Sequence, residues 1–198
     1  MLQGRAGNPG LIPQPLQSTT TMPGGDPMPV AFPDVPIPAE AGPVVQSLMR
    51  FFRDVHQTFW HTIECFYAAE LDWKPSPNTD SIGAITDHVI AAERNWLEQV
   101  LLQQAPPAGA VPTQVSRSRP EHPRSGVTAD VYLADLAEQY RRIMLFMAGL
   151  TDEQLQETRR SRSGREVTVE WVIQHLIAHV AYHTGQIVYI SMLDGFPE

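Results

Sequence analysis

From Val44 onward, apolar side chains return at three- and four-residue steps: Val45, Leu48, Met49, Phe52, Val55, Phe59, Thr62, Ile63 and Phe66. That period lines up one face of an α-helix and predicts a first helix over 44–70. The stripe stops before Lys74-Pro75-Ser76-Pro77, where each proline biases its predecessor away from helical angles. Ser81 then offers an N-cap, and Ile82, Ile85, Val89, Ala92, Trp96, Val100 and Leu101 carry a second stripe to about residue 104. A Pro-, Gly- and Arg-containing connection follows over 105–127. Thr128 caps a third stripe of Val131, Leu136, Tyr140, Ile143, Met144 and Met147, closed by Gly149. Thr151 with Gln154 has the capping-box signature of a short extra turn. Thr168 opens the last helix, running to about 193, with Trp171, Val172, Leu176, Ile187 and Ile190 on one side. The β-branched run Val167-Thr168-Val169 is too short to define a strand, so the expected class is all-α. Four long amphipathic helices close as a four-helix bundle, and the long connection leaves room for helices 2 and 3 to run parallel.

Upstream of Val44 no period survives. Ten of the 18 prolines fall in residues 1–43, among Gly, Ser and Thr with apolar residues scattered singly. Such a segment buries too little surface to offset its ordering entropy. The expected organisation is therefore a disordered Pro/Gly-rich tail over 1–43 and one bundle domain over 44–198. Pro33-Asp34-Val35-Pro36-Ile37-Pro38 leans towards polyproline II. On this reading, removing the tail leaves the melting temperature nearly unchanged.

Charge acts mainly by exclusion. Thirteen Arg and the single Lys74 face 22 acids, a net charge of −8, so the basic footprint of a nucleic-acid binder is missing. Arg159, Arg160, Arg162 and Arg165, with Arg141 and Arg142, form the one local concentration able to present a basic patch to a small anion; a solvated loop is the plainer reading. No run of 18 apolar residues suggests a membrane span, and the N-terminus lacks the layout of a secretory signal, so a cytoplasmic protein is expected. The single cysteine, Cys65, excludes an internal disulfide and a cysteine-cluster zinc site, and is expected to be a small buried hydrophobe.

The candidate chemistry lies in His175-Leu-Ile-Ala-His179-Val-Ala-Tyr-His183-Thr-Gly-Gln186. Histidines four apart sit about 40° from each other on a helix, so these three form a ladder. Successive rungs can share an ion, but all three span about 12 Å, too far for one centre. A third ligand must come from another helix. His88, three after Ile85 and four before Ala92, is the best placed, because the second stripe turns it towards the core. A lone histidine there would be a core imidazole satisfied by a carbonyl or carboxylate; facing a histidine pair, it becomes a ligand candidate. His56 and His61 are five apart and share a face poorly, and His122 sits among prolines; all three are expected in solvent.

Ser81-Ile82, His88, Glu93 and Trp96-Leu97, followed by His175-x3-His179-x3-His183-x-Gly185-Gln186-Ile187, resemble the DinB/YfiT-like family of metalloenzymes. Trp73 before Pro75 and the Leu150-Thr151-x-Glu153-x-Leu155 turn also look like family features, whereas residues 1–43 have no counterpart in it. The resemblance implies a bundle with helices 2 and 3 parallel and a metal held by His88, His179 and His183, with His175 beside the ligands. Thr184 departs from the Arg that many relatives carry before the Gly-Gln pair. Gln186 is placed either to orient a ligand or a bound water or to pack the helix.

Three histidines leave a fourth metal position open, as in catalytic rather than structural zinc. The metal, zinc or nickel by the imidazole set, lowers the pKa of a coordinated thiol or water. Relatives of this kind include thiol-dependent transferases and isomerases, so the expected partners are a low-molecular-weight thiol and a small electrophile, in a chain able to form a homodimer. Hydrolysis would want a carboxylate base. Glu93 lies about 140° around the helix from His88 and is expected to support a neighbouring helix or face solvent instead. The alternative is a non-catalytic metal-binding or stress-response interaction protein built on the same bundle.

Overall fold

Helix α1 (Pro43–Ile63) begins with a proline in its first turn, where the missing N–H leaves no bond unmade. Its cap comes from far along the chain: the Asp152 carboxylate accepts from the Val44 and Val45 amides at 3.2 and 3.0 Å. A carboxylate at a helix N-terminus satisfies free N–H groups and meets the positive end of the dipole. Gly42 makes this approach possible, since a Cβ there would collide with that carboxylate.

The computed structural model describes residues 30–105, 124–161 and 163–197. The helix predicted over 44–70 ends early, at Ile63, and a separate helix α2 (Ala68–Asp72) follows. The Glu70 carboxylate accepts from the Tyr67 amide and restarts the helix in a new direction. Cys65, expected to be buried, is exposed at this corner, where its thiol donates to the Thr62 carbonyl at 3.3 Å.

Ser81 caps α3 (Ile82–Asn95) as expected, accepting from the Ala84 amide at 3.2 Å. The helix continues as a π-helical turn over Trp96–Leu101, which adds a residue to the repeat and shifts the buried positions to Leu97, Val100 and Leu101. Helix α4 (Ala129–Ala148) runs parallel to α3. Tyr132 lies against Gly83 at the start of both, where a Cβ on Gly83 would come within 2.5 Å of the Tyr132 hydroxyl. Arg142 donates to Glu98 at 2.7 Å near their ends. Arg124, just before α4, is tied to α3 through Asp87 and to α4 through Asp135.

A single 3-10 turn (Gln154–Gln156) leads into β1 (Thr158–Arg160), paired antiparallel with β2 (Glu166–Thr168). This hairpin was not expected. Its first strand is Thr-Arg-Arg, without apolar alternation, and its turn relies on Gly164 at φ 81°. Thr168 still caps α5 (Val169–Ser191), accepting from the Trp171 amide. Of the arginines considered as an anion patch, Arg142 is taken by Glu98 and Arg159 by Glu157, so those two do not gather into a shared pocket. Arg162 lies outside the described residues.

Between the helices lie two apolar clusters. One joins Met49, Phe52, Tyr140, Met144, Val172 and Leu176; the other joins Phe59, Trp60, Ile63, Val89, Tyr132, Val180 and Ile187. Among the described residues, no helix is long and apolar enough to cross a membrane.

The packed chain also reaches back past the boundary expected at 44. Val35 is buried, and Phe32 places its ring 5.5 Å from Trp60 and 4.8 Å from Tyr140. Arg53 donates to the Val35 carbonyl. Prolines at 33, 36 and 38 reduce the freedom this strap loses on packing, so a few apolar anchors suffice to seat it. A fully buried apolar side chain contributes roughly 1.5–3 kcal/mol. Deleting residues 1–42 is therefore expected to lower the melting temperature by roughly 5–10 °C for a chain of this size. Phe32→Ala should reproduce part of that loss. An unchanged thermal melt in both would show that the strap contributes nothing.

Candidate metal centre

Helices α3 and α5 face each other in opposite directions, because His88 lies by His179 and His183 whereas Trp96 lies by His175 and Trp171. Four-residue spacing on α5 puts Trp171, His175, His179 and His183 in one file along this seam. The α3 stripe turns His88 inward between buried Ile85 and Val89.

Three imidazoles converge. His179 Nε2 lies 3.0 Å from His88 Nε2 and 3.1 Å from His183 Nε2. One nitrogen from each residue falls within 4.8 Å of the others, a grouping that could hold a metal ion. His175 stands one turn away, its ring 5.9 Å from that of His179. The geometry thus separates a compact trio from a fourth neighbour, as the 12 Å span of the ladder requires.

Hydrogen bonding fixes one ring. The Gln186 side-chain oxygen lies 2.7 Å from His183 Nδ1 and can only accept, so Nδ1 carries the hydrogen and Nε2 presents its lone pair to the centre. His179 Nδ1 is buried without a hydrogen-bond partner among the described residues. Burial holds the His179 imidazole neutral, with its pKa pushed down to about 3, and neighbouring His183, His88 and His175 add to the shift. His183 is lowered by burial too, against the Gln186 bond and the nearby Asp80 charge, which favour protonation. His175 is lowered by burial alone. Neutral imidazoles with converging lone pairs are the form that ligates a metal. The donor set therefore fits a divalent ion of the imidazole-binding kind.

The remaining histidines divide. His61 is exposed and paired with Glu64 at 2.7 Å, as expected for a solvated residue. His122 lies outside the described residues. His56, also expected in solvent, is instead fully buried. Its Nδ1 donates to the Phe52 carbonyl at 2.8 Å, and its Nε2 meets Glu93 Oε1 at 2.6 Å. Glu93 indeed supports a neighbouring helix, through this bond to α1. The signal for His56 was its place in the repeat Val45, Met49, Phe52, His56, Phe59, Ile63, which alternates steps of four and three along the buried face. Asp80, just before the cap of α3, was not singled out either; no stripe marks it.

The fold and site together define a helical-bundle domain with a three-histidine group able to hold a metal ion. The chain belongs to the DinB superfamily, whose sequence model matches residues 51–187. A crystal structure of a conserved protein from Enterococcus faecalis is similar at 18% identity and a TM-score of 0.54, over 76% of this chain and 96% of that one. A DinB-like protein from Bacillus cereus is similar at 13% identity and a TM-score of 0.49, over 77% of this chain and 95% of that one. No curated protein sequence matches. At 18% identity the Enterococcus likeness concerns the fold alone.

Proposed function

We propose that His88, His179 and His183 hold a divalent metal, zinc or nickel, and that the protein uses it to activate a low-molecular-weight thiol, or water, for transfer to a small electrophile. The observation that carries this reading is the convergence of three Nε2 atoms, 3.0 and 3.1 Å from the central one. A bound divalent ion supplies Lewis acidity, which generates a thiolate or hydroxide near neutral pH. The chain's part is to keep His179 and His183 neutral and to aim the set. Gln186 keeps the His183 proton on Nδ1, and burial keeps His179 deprotonated. Helices supply all three ligands, so the set is held more rigidly than one built on loops.

Metal analysis of protein purified without a chelating column tests the reading. About one zinc or nickel per chain is expected, together with a change in the visible spectrum of the cobalt-substituted protein when small thiols are added. Protein that stays folded but cannot be loaded would overturn the assignment. Stoichiometric metal with a spectrum indifferent to thiol would favour the non-catalytic metal-binding reading.

A further inference from the structure

Beyond the metal trio, the seam between α3 and α5 continues as a second group of rings. His175 lies flat on Trp171, with centroids 5.1 Å apart and planes 5° from parallel. Trp96 meets both, edge-on to His175 at 5.0 Å and tilted to Trp171 at 5.8 Å. All three rings are only partly buried, so each retains surface that a small molecule can cover. The exposed Arg165 places its guanidinium over Trp171, 5.0 Å from the ring centroid.

Two features argue that this is more than peripheral packing. The π-helical turn starts at Trp96, and such insertions re-aim side chains and recur at functional sites. Second, the His175 side chain has no hydrogen-bond partner among the described residues, while its ring is held between Trp171 and Trp96. A polar ring placed between a tryptophan and the metal trio thus keeps its hydrogen-bonding capacity for something else.

We infer that Trp96, Trp171 and His175 form the subsite for the organic body of the substrate, which is a flat, unsaturated group joined to a metal-seeking head. The proposal rests on the metal reading, because it places the head at His88, His179 and His183 and the body one to two turns along the same seam. Flat rings gain from stacked and edge-on contacts with aromatic side chains, a preference that saturated chains of the same size lack. His175 contributes a hydrogen bond to a polar substituent on that body.

Hydroxamates test this, because they bind metals through one end and carry any chosen group at the other. Acetohydroxamate, benzohydroxamate and 3-phenylpropionohydroxamate are titrated calorimetrically into the zinc-loaded full chain. At least one phenyl compound is expected to bind roughly tenfold more tightly than acetohydroxamate, with quenching of tryptophan fluorescence. In Trp96→Leu and Trp171→Leu that advantage should vanish while acetohydroxamate affinity is unchanged. His175→Leu, at a partly exposed ring, provides a third variant if either tryptophan change prevents folding. Equal affinity for all three compounds in the wild-type chain overturns the subsite and leaves the metal reading standing. A chain that takes up no zinc overturns both.

Discussion

Replacing His56 by alanine is expected to lower stability by about 3–5 kcal/mol, because it strands the fully buried Glu93 carboxyl without its partner. For a chain of this length that corresponds to a fall of roughly 10–15 °C in melting temperature. One proton lies between His56 Nε2 and Glu93 Oε1, and the other imidazole nitrogen is already committed to the Phe52 carbonyl. Glu93 Oε2 has no hydrogen-bond partner among the described residues, so loss of His56 leaves both oxygens unmatched in an apolar setting. Glu93→Ala should be costly for the converse reason. Exchanging both residues for leucine should recover most of the loss, since apolar groups of similar volume often replace a buried pair at little cost. Chemical denaturation of the two single variants and the double variant measures the coupling. Near-neutral single substitutions would show that the pair is dispensable.

The second large effect concerns the centre of the trio. His179 Nε2 is the atom that both other ligand candidates approach, so His179→Ala should abolish stoichiometric metal binding, and His183→Ala should do the same. Gln186→Leu leaves three imidazoles but frees the His183 proton to move between its nitrogens, and a loss of roughly 10–100-fold in affinity is expected. His61→Ala, on the exposed surface, should change nothing. Metal added to the wild-type chain at about 100 times its dissociation constant should stabilise it by roughly 2.7 kcal/mol, a gain absent from both ladder variants. Full metal retention by His179→Ala would remove the trio from consideration.

The ladder on α5 and His88 on α3 were legible because each sits on a clear apolar stripe, and helical period alone sets their direction. His56 occupies an equally regular stripe, sharing the buried face of α1 with Phe52 and Phe59, while its five-residue spacing from His61 points to solvent. The end of α1 at Ile63 has no glycine or proline to announce it; Phe66 continues the apolar period but turns to meet Phe196, 130 positions further along the chain, a contact no local signal carries. The π-helical turn at Trp96 inserts a residue without altering composition. The β1 strand carries no alternation at all. The strap escaped because polar, proline-rich chain can be seated by a few contacts, and composition averages those contacts away.

The parallel course of α3 and α4 bears on how the chain finds this structure. Neighbouring antiparallel helices can zip together from a short turn, but these two run the same way and are far apart in sequence, from Leu101 to Ala129. Helix α1 is likewise capped by Asp152, 108 positions beyond Val44. Few of the contacts that define the bundle are therefore local, and closing long loops precedes most of the apolar gain. Refolding should accordingly be slower than that of up-and-down bundles of similar size, with the hairpin and α5 forming a unit able to assemble from adjacent chain.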